Sequence, residues 1–193
     1  FPLTRSMCAP IGDGAASAIV CSADYLAAQS PDVRKRAVKV EASQLTGGKY
    51  RSFDEPGLSM KAAQKAYKQA GIGPDDVNIA EVHDATSFCE IYQAEMMGFC
   101  EIGDGGAYIE SGATRLGGAR PINLSGGLVS KGHPVGATGL SMIHELTTQL
   151  RGEAGERQAP SPRYALAENG GGVMGFDEAA CAVTILKSPE DDQ

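Results

Sequence analysis

His133 lies in a glycine-rich turn that could present an imidazole to a ligand. Residues 126–139 read Gly-Gly-Leu-Val-Ser-Lys-Gly-His-Pro-Val-Gly-Ala-Thr-Gly and precede a run with helical periodicity at 140–150. Glycines allow positive φ angles and close approach of a ligand, and Pro134 fixes the chain direction after the histidine. The amides of residues 136–139 favour a negative charge. His133 could therefore be a general base, although the spacing equally allows a histidine that is only hydrogen-bonded.

The whole segment 123–139 resembles the histidine loop of thiolases, enzymes that make or cleave β-ketoacyl-CoA by acyl transfer to a cysteine. Residues 81–86, Glu-Val-His-Asp-Ala-Thr, resemble the loop that carries Asn-Glu-Ala-Phe in ordinary thiolases and His-Asp-Cys-Phe in the sterol-carrier-protein branch. Residues 168–172, Glu-Asn-Gly-Gly-Gly, lie where the family carries Cys-x-Gly. Residues 11–20 resemble the last strand of a thiolase N-terminal half. The order and spacing of these segments extend the resemblance over nearly the entire chain.

The resemblance implies roles for named residues. His133 would take the proton of a nucleophilic cysteine and then stabilise the thioester oxygen. His83 occupies the place of an asparagine that holds a catalytic water, although it could instead only pin its own loop. Gly170 matches the glycine of Cys-x-Gly and would donate its amide to an oxyanion hole. Asp84 could orient the ring of His83, but capping of the following helix is the favoured interpretation.

Two cysteines that the resemblance implies are absent, because Glu168 and Ala85 stand in their places. A buried carboxylate with a raised pKa can also remove an α-proton. The alternatives are a Claisen-type thiolase with a glutamate base, a retro-aldol relative without acyl transfer, and a degenerate member; we favour the first. Cys89, one helical turn beyond Ala85, could be chemical, but a packing role is favoured.

The resemblance therefore predicts part of a thiolase-like acyl-CoA acyltransferase. Its nucleophilic cysteine would lie in an N-terminal half preceding Phe1, so we expect this chain alone to be inactive. The alternatives are a retro-aldolase-type relative in lipid or steroid side-chain breakdown, or a non-catalytic subunit. The expected substrate is a CoA thioester, with no cofactor or metal. Expected partners are the N-terminal half, further copies in a homodimer or homotetramer, and an acyl-CoA-binding protein of the OB-fold and zinc-ribbon type.

Composition restricts the partners and the compartment. The 193 residues carry a net charge of −7, which argues against nucleic acid or an anionic membrane surface as a partner. There is no transmembrane run or signal-peptide pattern, and five cysteines without paired metal spacing suit a reducing compartment, so a cytoplasmic location is predicted. Cys21 and Cys181 lie in apolar runs and are predicted to be buried.

Strands alternate with helices along the chain, which indicates a layered α/β fold. The resemblance implies the C-terminal half of a thiolase-like fold, with a mixed five-stranded sheet and helices on both faces, layered αβαβα when complete. Residues 1–43 would end the N-terminal half, and 44–193 would form the C-terminal domain. The predicted strands are 15–22, 36–42, 77–82, 121–124, 164–168 and 179–186. The predicted helices are 23–29, 56–70, 85–98 and 140–150. The predicted loops are 44–53, 103–118 and 151–162, and a disordered tail is predicted at 187–193.

Overall fold

The computed structural model describes residues 2–189, which form a mixed sheet covered by helices on both faces. The strand order is β1-β4-β3-β2, in which β4 pairs antiparallel with both β1 and β3, and β2 pairs parallel with β3. The predicted α/β class is confirmed.

The strands are Lys39–Gly47 (β1), Ile79–Glu81 (β2), Tyr164–Gly171 (β3) and Ala180–Lys187 (β4). The helices are Ala23–Ala27 (α1), Pro31–Lys35 (α2), Leu58–Ala70 (α3), Ser87–Met96 (α4), Gly105–Glu110 (α5), Gly127–Lys131 (α6) and Thr138–Leu150 (α7).

Helix α3 covers one face of the sheet, against β1 and β4. Its buried residues recur every three or four positions, as in an amphipathic helix, and Gly71 ends it in the left-handed conformation at φ 70°. Helix α7 covers the other face, mainly against β3. Met142, Leu146 and Leu150 lie four residues apart on one side of α7 and pack in the core that includes Ala165 and Ala167 of β3. Alternate residues of β3 therefore face different helices.

Four strands form the sheet of residues 2–189, not the five that the resemblance implied. The predicted strand 121–124 is reduced to one bridge, in which the Ala80 amide donates to the Pro121 carbonyl at 3.0 Å and the Asn123 amide donates to the Ala80 carbonyl at 2.9 Å. Asn123 then adopts a positive φ of 56°, which turns the chain away from the sheet. Pairing with β2 stops there for this reason.

The predicted strand 15–22 is also wrong. These residues have no regular structure and are mostly exposed, with Ile19 99% accessible, and Cys21 is exposed rather than buried. An apolar run forms a strand only where a neighbouring strand hydrogen-bonds to its backbone. Within residues 2–189, no strand pairs with residues 15–22. Cys181 is buried as predicted.

Other predicted boundaries need smaller corrections. Strand β1 extends into the predicted loop 44–53, and α5 lies within the predicted loop 103–118. Residues 190–193 of the predicted tail lie outside the described residues, and Lys187 ends β4. The division at residues 43 and 44 stays a prediction. None of the helices within residues 2–189 is long and apolar enough to cross a membrane.

Candidate active site

A cavity of about 350 Å³ lies where β3 ends. Two histidines from different loops, His83 after β2 and His133 before α7, contribute its polar side. The remaining wall consists mostly of small residues, which leave room for a ligand close to the backbone. These other lining residues are Leu45, Val135, Asn169, Gly170, Gly171, Gly172, Ala180 and Ala182.

The turn before α7 holds His133 through its backbone. The His133 amide donates to the Pro10 carbonyl at 2.8 Å, and Ile11 forms a parallel bridge with His133. Gly132 precedes the histidine with φ 94°, a conformation that favours glycine. The N-terminal segment therefore helps to orient the histidine turn, although it forms no strand of the sheet.

The imidazoles of His83 and His133 meet edge to face, with their Nε2 atoms 3.3 Å apart. The Nδ1 atom of His133 lies 2.8 Å from the Thr138 hydroxyl, which itself donates to the Pro134 carbonyl at 3.2 Å. A hydroxyl has one proton, so it must accept a hydrogen bond from Nδ1–H of His133. In the neutral form of His133 this network leaves Nε2 unprotonated, which gives the lone pair that a general base needs.

His83 is neutral at physiological pH. Burial, and then the nearby charge of protonated His133, lowers the pKa of His83 to about 4. Neutral His83 can donate from Nε2 to His133 or to a ligand oxygen, but it supplies no positive charge.

We expect nuclear magnetic resonance to show the His83 imidazole titrating near pH 4, well below its ordinary value of 6.5. Because the unfolded chain binds the proton first, the contribution of His83 to the free energy of unfolding is fully present above pH 6.5. It is lost as the pH falls through about 4. His133→Ala should raise the pKa of His83, whereas His144→Ala on the exposed side of α7 should not. A His83 resonance that titrates near 6.5 would contradict the assignment of a neutral, partly buried imidazole.

Asp84 caps a different helix from the one predicted. The N-cap of α4 is Thr86, whereas Asp84 Oδ1 accepts from the Leu128 amide at 2.7 Å, at the start of α6. Gly127 lies directly against this carboxylate with φ 65°, and a Cβ there would be 2.3 Å from Asp84 Oδ2. Asp84 thus fastens the His83 loop to the segment that leads to His133 and explains why glycine stands at 127.

Glu168 does not line the cavity. Strand alternation directs Asn169 toward the cavity and Glu168 toward the opposite face, where its exposed fraction is 0%. Its Oε2 accepts from the His83 amide at 3.0 Å, and its Oε1 accepts from the Cys181 thiol at 3.3 Å. Burial, and then the neighbouring Glu178, raises the pKa of Glu168 to about 8. Its role as a direct base stays a prediction, and it is one that this geometry does not favour.

Gly170 lines the cavity, and its backbone partly offsets the rise in the pKa of Glu168. Donation of its amide to an oxyanion stays a prediction. Sequence reasoning missed Asn169, although its place beside Gly170 in the matched loop was a usable signal. It also missed Thr138, which selects the tautomer of His133. Cys89 is held by the Thr86 hydroxyl at 3.2 Å and is not among the residues that line the cavity.

The family described as "Thiolase C-terminal domain-like" matches residues 57–187, a range that contains both histidines, Glu168 and Gly170. The chain belongs to the thiolase superfamily, and it corresponds to the C-terminal part of that fold.

The chain is similar to several curated proteins of this superfamily. It is 42% identical over 195 residues to sterol carrier protein 2 of Rattus norvegicus, covering 92% of the chain and 35% of that protein. It is 41% identical to an acetyl-CoA acetyltransferase of Methanothermobacter thermautotrophicus, covering 90% of the chain and 46% of that protein. It is 34% identical to the benzoylsuccinyl-CoA thiolase subunit BbsB of Thauera aromatica, covering 89% of the chain and 45% of that protein. The chain thus spans less than half the length of these relatives.

Among solved structures, the fold resembles a chain of a protein titled "Ltp2-ChsH2(DUF35) aldolase". The TM-score is 0.68 at 22% identity, and the match covers 80% of this chain and 40% of that one. At this identity the likeness concerns the fold.

Proposed function

We propose that the chain is the C-terminal part of an acyl-CoA acyltransferase that makes or cleaves β-ketoacyl-CoA through a cysteine thioester. The observation that carries this proposal is the histidine pair: His83 and His133 both line the cavity, their Nε2 atoms lie 3.3 Å apart, and Thr138 binds Nδ1 of His133. Cleavage by this route needs a thiolate, an oxyanion donor and a second proton transfer. The chain supplies imidazoles for the proton transfers, and the N-terminal half supplies the cysteine.

In this proposal His133 Nε2 removes the proton of the cysteine as its sulfur attacks the thioester carbonyl. The bond from the carbonyl carbon to the CoA sulfur then breaks, and the imidazolium returns the proton to the departing CoA thiolate. Thr138 holds the other nitrogen protonated, so the ring accepts at Nε2 and carries its charge briefly as an imidazolium. His83 donates from Nε2 to the developing oxyanion, and Gly170 is proposed as a second donor. The substrate is a CoA thioester, and assembly into a dimer belongs to the same proposal.

The 193-residue chain alone should form no acyl-enzyme with isotopically labelled acetyl-CoA, because the cysteine that carries the acyl group lies in the N-terminal half. Intact mass spectrometry after incubation measures the adduct. Adding the separately produced N-terminal half should restore acylation, and Cys89→Ala should change neither result. A stable adduct on a cysteine of this chain would contradict the proposal.

A second candidate is a retro-aldol reaction, in which a carbon–carbon bond breaks without acyl transfer. Two observations favour it: both expected acid–base cysteines are replaced, at Ala85 and Glu168, and the similar solved structure is titled an aldolase. An OB-fold and zinc-ribbon protein is a proposed partner in this case. The candidates differ in one measurement, because a retro-aldolase turns over its substrate without a covalent thioester on the protein.

A further inference from the structure

Two carboxylates meet beneath the cavity, on the side of β3 that faces α3 and α4. Glu168 is fully buried there, and Glu178 approaches it from the loop before β4. One carboxylate oxygen of Glu168, one carboxylate oxygen of Glu178 and the sulfur of Cys181 all lie within 4.8 Å of one another. The two oxygens of Glu178 accept from the Ser59 hydroxyl at 2.8 Å and from Nε2 of Gln93 at 3.3 Å. Both carboxylates therefore lie in one polar cluster under the cavity.

Nearby cations do not neutralise this pair. Arg51 pairs with Asp177, the residue before Glu178, and also donates to the Glu55 carbonyl at 2.9 Å. None of the salt bridges formed within residues 2–189 includes Glu168 or Glu178. The other titratable groups that face the pair are Asp177, the Cys181 thiol and Tyr92. Two adjacent carboxylates withdrawn from solvent and without a paired cation cannot both be ionised without a large cost.

We propose that Glu168 and Glu178 carry one proton between them and are positioning residues, which set the His83 loop and the Gly170 wall of the cavity. Glu168 reaches the His83 backbone directly through the bond at 3.0 Å. Glu178 lies directly against the Gly170 wall, because a Cβ on Gly170 would lie 1.9 Å from its Oε1. Neither carboxylate lines the cavity, so each acts through a residue that does.

The proton is expected mainly on Glu168. This carboxyl is the more buried, and its pKa is raised to about 8 by burial first and by Glu178 second; burial also raises the pKa of Glu178. The stability contributed by the protonated form is full below pH 4.5, the ordinary value, and is lost as pH rises through about 8. Above that pH, repulsion between two charges pushes on the His83 loop and on Gly170 together.

Infrared spectroscopy of the full-length protein tests the shared proton directly. At pH 7 the wild-type protein should show the carbonyl band of a protonated carboxyl group that is missing in Glu168→Gln. Glu178→Gln should weaken the same band, because Glu168 then ionises at lower pH. Glu110→Gln, an exposed residue, is the control and should leave the band intact. A band unchanged in both variants, or one equivalent of bound metal ion in the purified protein, would overturn the proposal.

The pH dependence of catalysis tests the positioning role, and this readout rests on the proposed function. The wild-type rate of acylation should fall at alkaline pH with a midpoint near 8. Glu168→Gln mimics the protonated carboxyl, so it should move this limb to higher pH and retain the rate at pH 7 within about 10-fold. If Glu168 were instead the direct base, Glu168→Gln would retain acylation but slow carbon–carbon bond formation by about 10²–10⁴-fold. That result would overturn the inference. Absence of acylation in the wild-type protein would refute the proposed function and leave the infrared result standing.

Discussion

His133→Ala in the full-length protein is expected to slow acylation by about 10²–10⁴-fold. The substitution removes the atom that accepts the cysteine proton in the proposed mechanism, and His83 is not held in the tautomer that could replace it. His83 lies 3.3 Å away, but its own loop holds it through the Glu168 carboxylate and not through a group that fixes Nδ1. Rapid-quench measurement of the acyl-enzyme separates this step from later ones.

Three further variants show whether the effect is chemical. Thr138→Val should slow acylation less than His133→Ala, because it removes the group that selects the tautomer but leaves the imidazole. His83→Ala should also be milder than His133→Ala. His144→Ala, on the exposed side of α7, should match the parental rate. Acylation at the parental rate in His133→Ala would show that the glycine-rich turn is structural.

Local signals explain what the sequence predicted well about the fold. Helix α3 was predicted at 56–70 and is observed at Leu58–Ala70, because apolar spacing and the terminal Gly71 act within the helix itself. The apolar run at 15–22 also has strand-like residues, yet it stays irregular. Strand formation depends on a distant partner, and no property of the run itself reveals whether that partner is present.

The candidate site was predictable only in part for a related reason. The resemblance assigned catalytic roles to both His83 and His133, which are 50 residues apart, but neither it nor their spacing predicted the 3.3 Å contact between them. The direction of Glu168 was harder to predict, because residues 165–168 are all buried and β3 shows no polar alternation. Only the helices on both faces show which side Glu168 takes. The carboxylate pair with Glu178 depends on a loop closure that no motif indicates.

Gly170→Ala is expected to lower the free energy of unfolding by about 1–3 kcal/mol. The new methyl group would lie 1.9 Å from Oε1 and 2.1 Å from Cδ of Glu178, so the carboxylate must move. Ser59 and Gln93 hold that carboxylate in place, and moving it breaks both of their bonds. Urea unfolding at pH 7 measures the loss.

The neighbouring Gly171→Ala is a matched control, because a Cβ there has no atom within 4 Å and it should change stability little. Removing the obstructing side chain tests the cause: Glu178→Ala loses its own hydrogen bonds, but it also makes room for the methyl group at residue 170. The double variant Gly170→Ala with Glu178→Ala should therefore be more stable than the sum of the single effects predicts, with a coupling free energy of about 0.5–3 kcal/mol. Strict additivity would show that Gly170 is required for a reason other than the carboxylate beneath it. It would contradict the proposal that the carboxylate pair positions the cavity wall.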